Sequence, residues 1–362
     1  MASLRPKTCI LFLNMGGPES KEGVYNFLQR LFSDGDLLTL PFQSFLSKVI
    51  ARSRTRSVQE SYVKIGGGSP IKFWSEKQSV LLCHSLDKVL PETAPHKPYI
   101  SFRYVQPFSK EVVDEICKGQ FERVIVFPQY PQYSCCTTGS SLNDLYISLK
   151  ETKHSNAIKW SVIDRWSTHP SFVKAFADSI REELQSGFSE QEREDVVLLF
   201  TAHSLPLSVV SKGDSYPLEV AASVNKIMEN LSYRNPFCLA WQSKVGPIRW
   251  LRPSTLETLK GYAKQGKNMM LAPVTFTSDH IETLYELDIE LQEEVGRSST
   301  FKLRRAPSMN TRPSFINALT DIVKEHVTVN NFACSPQLSL KCHACTNPRC
   351  EPTRLFFSHS YK

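Results

Sequence analysis

The sequence lacks the features that mark membrane-spanning, nucleic-acid-binding or secreted chains. Across its 362 residues no apolar run reaches the roughly 18 residues of a transmembrane helix. The first seven residues lead straight into a predicted strand, so we expect no signal or transit peptide, which fits a cytosolic protein or a mature or truncated chain. The net charge of +7 suits an anionic substrate or anionic lipid, whereas nucleic acid would need a denser basic patch.

Nucleotide-binding motifs are missing as well. The turn after the first predicted strand contains Gly16 and Gly17 but no G-x-G-x-x-G pattern, and no P-loop occurs. A second glycine run, 66–68, follows no strand and is therefore not a dinucleotide fingerprint. We interpret it as a place where the backbone closely approaches a ligand or another segment.

Ten cysteines are present, but without a secretory signal a disulfide framework is not expected. Cys342, Cys345 and Cys350 form a C-x-x-C pattern with a third cysteine close behind, a spacing typical of metal ligands. Zinc would need one more local ligand, whereas a 2Fe–2S cluster would need a fourth thiolate. The candidate fourth ligands are Cys334, His343 and the distant pair Cys135-Cys136. The spacing alone does not separate the two kinds of site.

Short, nearly continuous apolar segments alternate with helical stretches along the chain. This pattern is typical of a parallel sheet covered by helices on both faces. The predicted strands are 9–13, 99–102, 124–127 and 160–163 in the first half, and 196–200, 237–241, 269–274 and 301–303 in the second. Four units in each half predict two doubly wound, Rossmann-like α/β domains, a plan that an ancient duplication would leave.

We expect a first α/β domain over residues 1–168, with a hydrophobic insert at about 31–57, a second over 169–325, and a cysteine-rich extension over 326–362. Open parallel sheets bind ligands beyond the carboxyl ends of their strands. Polar or glycine-rich tails follow the predicted strands at 14–18, 103–104, 129–134, 202–204, 242–244 and 275–280. We expect these tails to meet in one cleft between the domains.

An acidic segment follows the predicted strand at 269–274. Glu282, Glu286 and Glu290 recur every four residues, which on an α-helix stacks three carboxylates on one face. Such a row is usually a solvated face, and a lone histidine after a strand, such as His203, is usually a capping or core residue. Together in the predicted cleft they instead indicate a proton or metal conduit, with Glu282 nearest the chemistry, Glu286 behind it and Glu290 solvated.

The insert between the first two predicted strands combines apolar clusters over 37–50 with Arg52, Arg54 and Arg56. A buried helix with a basic end is the usual structure for this pattern. The alternative is an exposed apolar lip that rests on a bilayer, with arginines near lipid phosphates or a substrate carboxylate. The length of the insert favours the lip.

Several motifs together resemble the ferrochelatases, the terminal enzymes of haem synthesis, along essentially the whole chain. The motifs are 13–18, 65–70, 129–134 with 137–141, 202–206 and 277–286. The resemblance implies a class II chelatase-like fold and the insertion of Fe²⁺ into protoporphyrin IX, with release of two protons, as the last step of haem synthesis. The cysteine tail is similar to that of the animal, mitochondrial branch, which holds a 2Fe–2S cluster.

The resemblance also implies roles for individual residues. The implied catalytic residues are His203, Glu282, His169 and Asp321, and the implied proton or metal relay is Asp279, His280 and Glu286. The implied porphyrin-binding residues are Met15, Arg54, Tyr62, Ser69, Tyr130, Trp250 and Phe276. The implied cluster ligands are Cys135, Cys342, Cys345 and Cys350, although Cys136 stands where the family has a non-cysteine residue. Arg54 and Ser69 would meet the porphyrin propionates.

The resemblance further implies a peripheral protein on the matrix side of the inner mitochondrial membrane, acting as a homodimer with its lip on the lipid. Its substrates would be ferrous iron and protoporphyrin IX, with no nucleic acid partner. Two other functions compete with this one: a non-catalytic porphyrin or haem carrier, and a metal-binding interaction module whose cysteine tail holds zinc. An anaerobic assay with Fe²⁺ and protoporphyrin separates enzyme from carrier.

Overall fold

The computed structural model describes residues 7–37, 40–296 and 300–359. The chain divides into two compact units, Met1–Trp166 with Ile316–Lys362, and Ser167–Phe315. The carboxy-terminal stretch therefore belongs to the same compact unit as the first half of the chain. The limits of these units differ from the expected domain bounds at 168 and 325.

The first unit is built on a four-stranded parallel sheet in the order β2-β1-β3-β4. Its strands are β1 (Thr8–Asn14), β2 (His96–Phe102), β3 (Arg123–Pro128) and β4 (Lys159–Val162). The central strand β1 is buried along its whole length, as a near-continuous apolar strand of a doubly covered parallel sheet should be.

The second unit repeats this plan with the order β6-β5-β7-β8, again all parallel. Its strands are β5 (Val197–His203), β6 (Phe237–Gln242), β7 (Met269–Pro273) and β8 (Leu303–Arg305). The predicted fold class, two doubly wound parallel sheets, is confirmed.

The helices connect these strands. The α-helices are α1 (Val24–Ser33), α2 (Gln43–Lys64), α3 (Ile71–Val89), α4 (Ser109–Lys118), α5 (Ser140–Glu151), α6 (Pro170–Gly187), α7 (Leu207–Val210), α8 (Tyr216–Asn230), α9 (Thr255–Ala263), α10 (Leu291–Val295), α11 (Pro313–Thr328), α12 (Pro336–Ser339) and α13 (Cys350–His359). Short 3₁₀ turns occur at Lys21–Gly23, Ser155–Ala157 and Arg193–Asp195. Two segments are π-helical, Cys135–Gly139 and Glu282–Glu290.

The carboxy-terminal segment contributes to the core of the first unit. Leu338 and Phe357 are only 2% and 3% exposed and pack in the same apolar cluster as the strands β1, β3 and β4. Burying a side chain of this kind stabilises a fold by roughly 1.5–3 kcal/mol. Asp164, after β4, also accepts hydrogen bonds from the amide and hydroxyl of Ser335 at 2.8 and 2.6 Å. The segment that carries three of the tail cysteines is thus docked at both ends.

The glycine run at 66–68 brings two backbone segments together. A Cβ atom on Gly68 would lie 2.1 Å from the carbonyl oxygen of Glu19, a distance that no other residue type could tolerate. The amide of Ser69 then donates to the carbonyl of Pro18 at 2.8 Å. The close approach is therefore to another segment of the chain, and it places Ser69 against the glycine turn that follows β1.

The insert between β1 and β2 presents apolar side chains to solvent. Phe42 is 85% exposed, Phe45 66% and Val49 48%, all at or near the start of α2. Of the two structures expected for this segment, the exposed lip agrees with these exposures and the buried helix does not. Leu38 and Thr39, within the predicted lip, lie outside the described residues.

Candidate active site

His203 is the last residue of β5, at the carboxyl end of the second sheet. Its Nδ1 atom lies 2.7 Å from the carbonyl oxygen of Ser204, and because a carbonyl only accepts, Nδ1 carries the proton. The hydroxyl of Tyr216 donates to the His203 carbonyl at 3.0 Å and holds the backbone. In neutral His203 the Nε2 atom is therefore a bare lone pair, the form that accepts a proton or binds a metal.

Glu282 lies between two histidines. One carboxylate oxygen is 3.4 Å from His203 Nε2 and the other is 3.2 Å from His280 Nε2. The Nδ1 atom of His280 is buried and has no hydrogen-bond partner within the described part of the chain, so Nε2 is the ring nitrogen that donates to Glu282. Burial acts to raise the pKa of Glu282, but the charge of His203 and the hydrogen bond from His280 outweigh burial and hold it below its usual value.

When His203 is neutral, its contact with Glu282 joins two acceptors. A lone pair on Nε2 faces a carboxylate oxygen, which is unfavourable unless a proton or a cation lies between them. The pair therefore has a built-in affinity for one proton or one metal ion. Both side chains are partly exposed, His203 by 37% and Glu282 by 25%, so a substrate can reach the contact.

Glu286 lies four residues after Glu282 and accepts hydrogen bonds from two side chains at the end of β6. Its Oε2 atom accepts hydrogen bonds from Gln242 Nε2 at 2.7 Å and from Ser243 Oγ at 2.5 Å. Ser243 has a φ of 64°, a left-handed conformation that costs on the order of 1–3 kcal/mol and is typical of functional sites. Burial, followed by the negative charge of Glu282, raises the pKa of Glu286 to about 7 despite these two donors.

The acidic segment is a π-helix and not the α-helix that its spacing predicts. The π-helical stretch runs over Glu282–Glu290, and regular α-helix resumes only at Leu291. A π-helix is bonded from i to i+5, so each turn contains one more residue than an α-turn, and such segments are frequent at functional sites. Glu290, at the far end of the row, is exposed.

Aromatic rings lie beside both histidines. The ring centroids of Trp250 and His203 are 6.5 Å apart, and those of Phe276 and His280 are 4.6 Å apart. Trp250 and Phe276 are partly exposed, so each can offer part of its surface to a ligand. The structure thus places two predicted porphyrin-binding residues next to the predicted catalytic and relay residues of the second unit.

The other predicted porphyrin-binding residues belong to the first unit. A Cβ atom on Gly17 would lie 2.6 Å from Ser69 Oγ and 3.5 Å from the Tyr62 hydroxyl, which shows how closely these residues meet after β1. Met15 follows β1 directly, and Tyr130, which follows β3, has its hydroxyl 3.4 Å from Ser141 Oγ. Arg54 lies on α2, is partly exposed, and forms no ion pair with any carboxylate among the described residues.

His169 and Asp321, predicted as catalytic from the resemblance, lie on other elements. His169 is the amino-terminal cap of α6, where its Nδ1 atom accepts the Ser171 amide proton at 3.2 Å. Asp321 is exposed on α11, in the part of that helix that belongs to the first unit. Helix capping explains His169 without a catalytic role, and the roles of both residues stay predictions.

The four predicted cluster cysteines all lie in the first unit. Cys342 and Cys345 are joined by a turn in which the Cys345 amide donates to the Cys342 carbonyl at 3.1 Å. Asn143 on α5 donates from Nδ2 to Cys350 Sγ at 3.5 Å. Burial is the largest cause that raises the pKa of Cys350, and the neighbouring Cys345 adds to it. Within the described ranges, no three His, Cys, Asp or Glu side chains are gathered as a metal site.

The two other cysteine candidates are placed differently. Cys136 is 3% exposed and its thiol points to the carbonyl of Leu37 at 3.8 Å, whereas the neighbouring Cys135 is partly exposed. Cys334 packs against the apolar core, and burial raises its pKa to about 11. Burial raises the pKa of Cys350 as well, so the pKa shifts do not separate Cys334 from Cys350 as candidates.

Sequence reasoning missed the residues that hold the site in place. The sequence indicates Gln242 and Ser243 only as part of the polar tail that follows a predicted strand, and no sequence pattern marks them as partners of Glu286. Arg305, which ends β8, pairs with Asp279 at 3.2 Å and with Asp288 at 2.7 Å. The rule that ligand-binding groups follow parallel strands would have found all three, because each stands at or just after the carboxyl end of a strand.

The fold of two parallel α/β sheets has a counterpart among solved structures. The solved structure of SirB from Bacillus subtilis with Fe³⁺ is similar to this chain, with a TM-score of 0.52 and coverage of 90% of this chain and 97% of SirB. The sequence identity is 12%, so the similarity concerns the fold.

The chain belongs to the ferrochelatase family, whose sequence profile matches residues 7–327. The mitochondrial ferrochelatase of Bos taurus is 52% identical over 356 residues, covering 98% of this chain and 85% of the relative. That of Drosophila melanogaster is 48% identical over 359 residues, covering 99% and 93%. The predicted resemblance is confirmed.

Family membership confirms the predicted activity: the protein is an enzyme, a metal chelatase of haem synthesis that inserts iron into protoporphyrin. The alternative of a non-catalytic carrier is not favoured. Because the relatives are mitochondrial proteins, the location is the mitochondrion, and the cytosolic alternative weighed from the sequence falls away.

Proposed function

We propose that His203 and Glu282 act together as the proton acceptor during iron insertion into protoporphyrin. The observation that carries this proposal is the 3.4 Å contact in which the bare Nε2 of His203 faces a carboxylate oxygen of Glu282. A pyrrole N–H presented to Nε2 would transfer its proton there, and the adjacent carboxylate would stabilise the resulting imidazolium.

Two protons must leave the macrocycle for each Fe²⁺ that enters. His203 accepts one at Nε2 and is restored when that proton passes to the Glu282 carboxylate in contact with it. Glu286, with a pKa of about 7, is close to half ionised at neutral pH and can take up and release protons in turn. In this proposal Glu282 and Glu286 form the relay, and His280 donates a hydrogen bond that positions the Glu282 carboxylate.

The same pair also suits ferrous iron. An imidazole nitrogen and a carboxylate oxygen are both accepted ligands of this metal, and together they replace part of its hydration shell. The pair therefore offers a contact for iron when it is deprotonated and an acceptor for protons once iron has entered the ring.

The experiment is an anaerobic Fe²⁺ and protoporphyrin assay on the intact chain and three variants. Glu282→Gln and His203→Ala should each lower the insertion rate by at least about 100-fold, in the range of a lost general base, while porphyrin binding, measured by fluorescence quenching, persists. Glu290→Gln, on the same helix but exposed, is the matched control and should keep normal turnover. Near-normal turnover of either of the first two variants would remove that residue from the mechanism.

For the porphyrin we propose contacts in each unit. In the first unit, Arg54 has no carboxylate partner among the described residues, which leaves its charge for a propionate, and Ser69 offers a hydroxyl. Met15, Tyr62 and Tyr130 supply apolar and aromatic surface there. In the second unit, Trp250 and Phe276 supply aromatic surface beside the two histidines.

We also propose that Cys135, Cys342, Cys345 and Cys350 hold a 2Fe–2S cluster. The donor set suits such a cluster, since all four are cysteines of one compact unit, and Asn143 offers Cys350 Sγ the N–H···S hydrogen bond common around such clusters. The contact of Cys136 with Leu37 supports Cys135 as the ligand of that pair. A bound cluster would supply one-electron redox chemistry, and no step of iron insertion is assigned to it.

Purified protein tests the cluster. We expect a reddish protein with visible absorbance, stoichiometric iron and inorganic sulfide, and loss of all three in Cys135→Ser. Cys334→Ser is the control and should keep the colour. Stoichiometric zinc without sulfide would show instead that the tail holds zinc.

We further propose a peripheral contact with the inner mitochondrial membrane on the matrix side, as the resemblance implies. The exposed apolar lip of Phe42, Phe45 and Val49 supports a membrane contact. No helix in the described ranges is long and apolar enough to cross a bilayer. Co-sedimentation with anionic vesicles should fall in Phe42→Ser/Phe45→Ser but not in Leu218→Ser, a control that is 76% exposed in the second unit. We also propose a homodimer, which rests on the resemblance alone and which light scattering would test.

A further inference from the structure

Arg305 is fixed at the carboxyl end of β8 and is mostly buried, with 11% of its side chain exposed. Its Nε and Nη2 atoms donate to the two carboxylate oxygens of Asp288 at 2.7 and 2.8 Å, which is a bidentate pair. The Nη2 atom also lies 3.2 Å from Asp279 Oδ1, and Nη1 donates to Ser308 Oγ at 3.0 Å. One guanidinium thus holds two carboxylates at once.

These two carboxylates lie on either side of the reacting groups. Asp279 comes three residues before the π-helix Glu282–Glu290, and Asp288 lies inside it. The residues between them include His280, Glu282 and Glu286. Because Arg305 is anchored on a strand, it fixes the start and the last turn of the acidic segment to the sheet.

A π-helix needs such an anchor. The i to i+5 bonding is rare and survives only where tertiary contacts support it, since the α-helix is the stable alternative for the same residues. A return to α-helical bonding would remove the extra residue from each turn and turn every later side chain to a new direction. Glu286 would then move relative to Glu282, Gln242 and Ser243, whose contacts define the site.

Asp279 is also held in place by several donors. In addition to Arg305, it accepts hydrogen bonds from Ser308 Oγ at 2.6 Å, Asn310 Nδ2 at 2.8 Å and Thr283 Oγ1 at 3.1 Å. Burial acts to raise its pKa, but Arg305 and these donors outweigh burial and lower it. These contacts support a positioning role for Asp279, and the relay role predicted for it stays a prediction.

We propose that Arg305 is a positioning residue for iron insertion, which holds the π-helix between Asp279 and Asp288 so that Glu282 and Glu286 stay together beside His203. This inference rests on the proposed proton-accepting role of these groups. Arg305 would set the geometry of the relay without contacting the substrate.

The neighbouring residue provides a matched control. Arg304 lies on the same strand, carries the same charge and pairs with Glu183 on α6 at 2.7 Å, and half of its side chain is exposed. Arg304→Met therefore removes an arginine pair of the same strand without touching Asp279 or Asp288. Arg305→Lys keeps the charge but cannot form the fork that Asp288 requires.

The test compares Arg305→Met, Arg305→Lys and Arg304→Met in two measurements. Steady-state kinetics should show kcat reduced about 10- to 100-fold in Arg305→Met, with porphyrin KM within about threefold of the parent, as expected for a misplaced reacting group. Arg305→Lys should be intermediate and Arg304→Met normal.

The second measurement needs no substrate: a ¹³C NMR titration of the glutamate carboxyls, with Glu286 assigned from Glu286→Gln. The groups that act on Glu286 are Glu282 and His203 by charge and Gln242 and Ser243 by hydrogen bonds. In Arg305→Met the midpoint of Glu286 should shift by at least about half a pH unit as these neighbours move, and in Arg304→Met it should not shift.

Unchanged kcat together with an unchanged Glu286 midpoint in Arg305→Met would overturn the proposal. If that variant does not fold, Asp288→Asn decides, because it breaks the bidentate pair and leaves the Arg305–Asp279 contact; the same two changes are expected, and their absence overturns the proposal. A shifted midpoint with full activity in Glu282→Gln would instead count against the proposed function, so the two failures are distinguishable.

Discussion

The two parallel sheets share one strand order but differ in the residues at the carboxyl ends of their strands. In the first unit, β1 and β3 run into Met15 and Tyr130, which are groups suited to contact a flat apolar ligand. In the second, β5 ends at His203 and β8 ends at Arg305, which are groups that move protons or fix charges. The same backbone frame thus carries different side chains in the two units, and the residues at the strand ends make the difference.

Two buried acids, one in each unit, differ in their partners. Asp34 in the first unit accepts hydrogen bonds from the Tyr104 and Ser140 hydroxyls at 2.8 and 2.7 Å and also pairs with Arg103 at 3.0 Å. Glu286 in the second has two neutral donors and, among the described residues, no cationic partner. With no cation in direct contact, burial and the negative charge of Glu282 raise the pKa of Glu286 to about 7.

Loss of a core side chain from the carboxy-terminal segment should give the largest effect on stability, because that segment belongs to the first unit. Phe357→Ala should lower the free energy of unfolding by about 3–5 kcal/mol, the usual cost of a cavity left by phenylalanine. Leu340→Ala is the control, since that residue is 67% exposed. Guanidinium unfolding measures the loss of unfolding free energy in both variants. If both losses are small and equal, the segment does not contribute to the core of the first unit.

Removing the ionisable group at Glu286 should change how stability depends on pH. Its folded-state pKa of about 7 is raised from an ordinary value of 4.5, so the stability that it contributes is complete below pH 4.5 and is lost as pH rises through 7. Glu286→Gln stays neutral, so above pH 7 it should gain at most about 3 kcal/mol relative to the parent, at 1.36 kcal/mol per pKa unit. Melting curves from pH 4 to 8 check this, and parallel curves for both proteins would contradict it.

Removing a charge from the first unit should affect porphyrin binding with little effect on the chemical step. Arg54→Met should raise the porphyrin KM about 10-fold, the loss of roughly 1.4 kcal/mol from one charge-assisted contact, with kcat nearly unchanged. Arg56→Met is the control, because that side chain is 92% exposed and paired with Glu60. A reduced kcat in Arg54→Met would contradict the assignment of Arg54 to porphyrin binding alone.

The sheets were predictable because buried parallel strands are short, continuous apolar runs, and all eight predicted strands occur. His203 and Glu282 could be selected as candidates from the sequence for a similar reason, since one ends a strand and the other comes soon after one. The π-helix was not predictable, because its sequence has ordinary α-helical spacing. In addition, Arg305, which we propose holds it in place, lies on a strand further along the chain. The partners of Glu286 lie about forty residues before it, and no local pattern joins them.

Because the carboxy-terminal segment is docked in the first unit, metal binding by its cysteines would be coupled to the folding of that unit. Leu338 and Phe357 lie in the core of the first unit on either side of Cys342, Cys345 and Cys350, so these thiols can be held together only in the folded state. A ligand that binds only the folded form adds its own binding free energy to stability, by roughly 2.7 kcal/mol when its concentration is 100 times its Kd. A metal bound by the proposed cluster cysteines would therefore shift the unfolding equilibrium of the first unit by mass action, whether or not it takes part in catalysis.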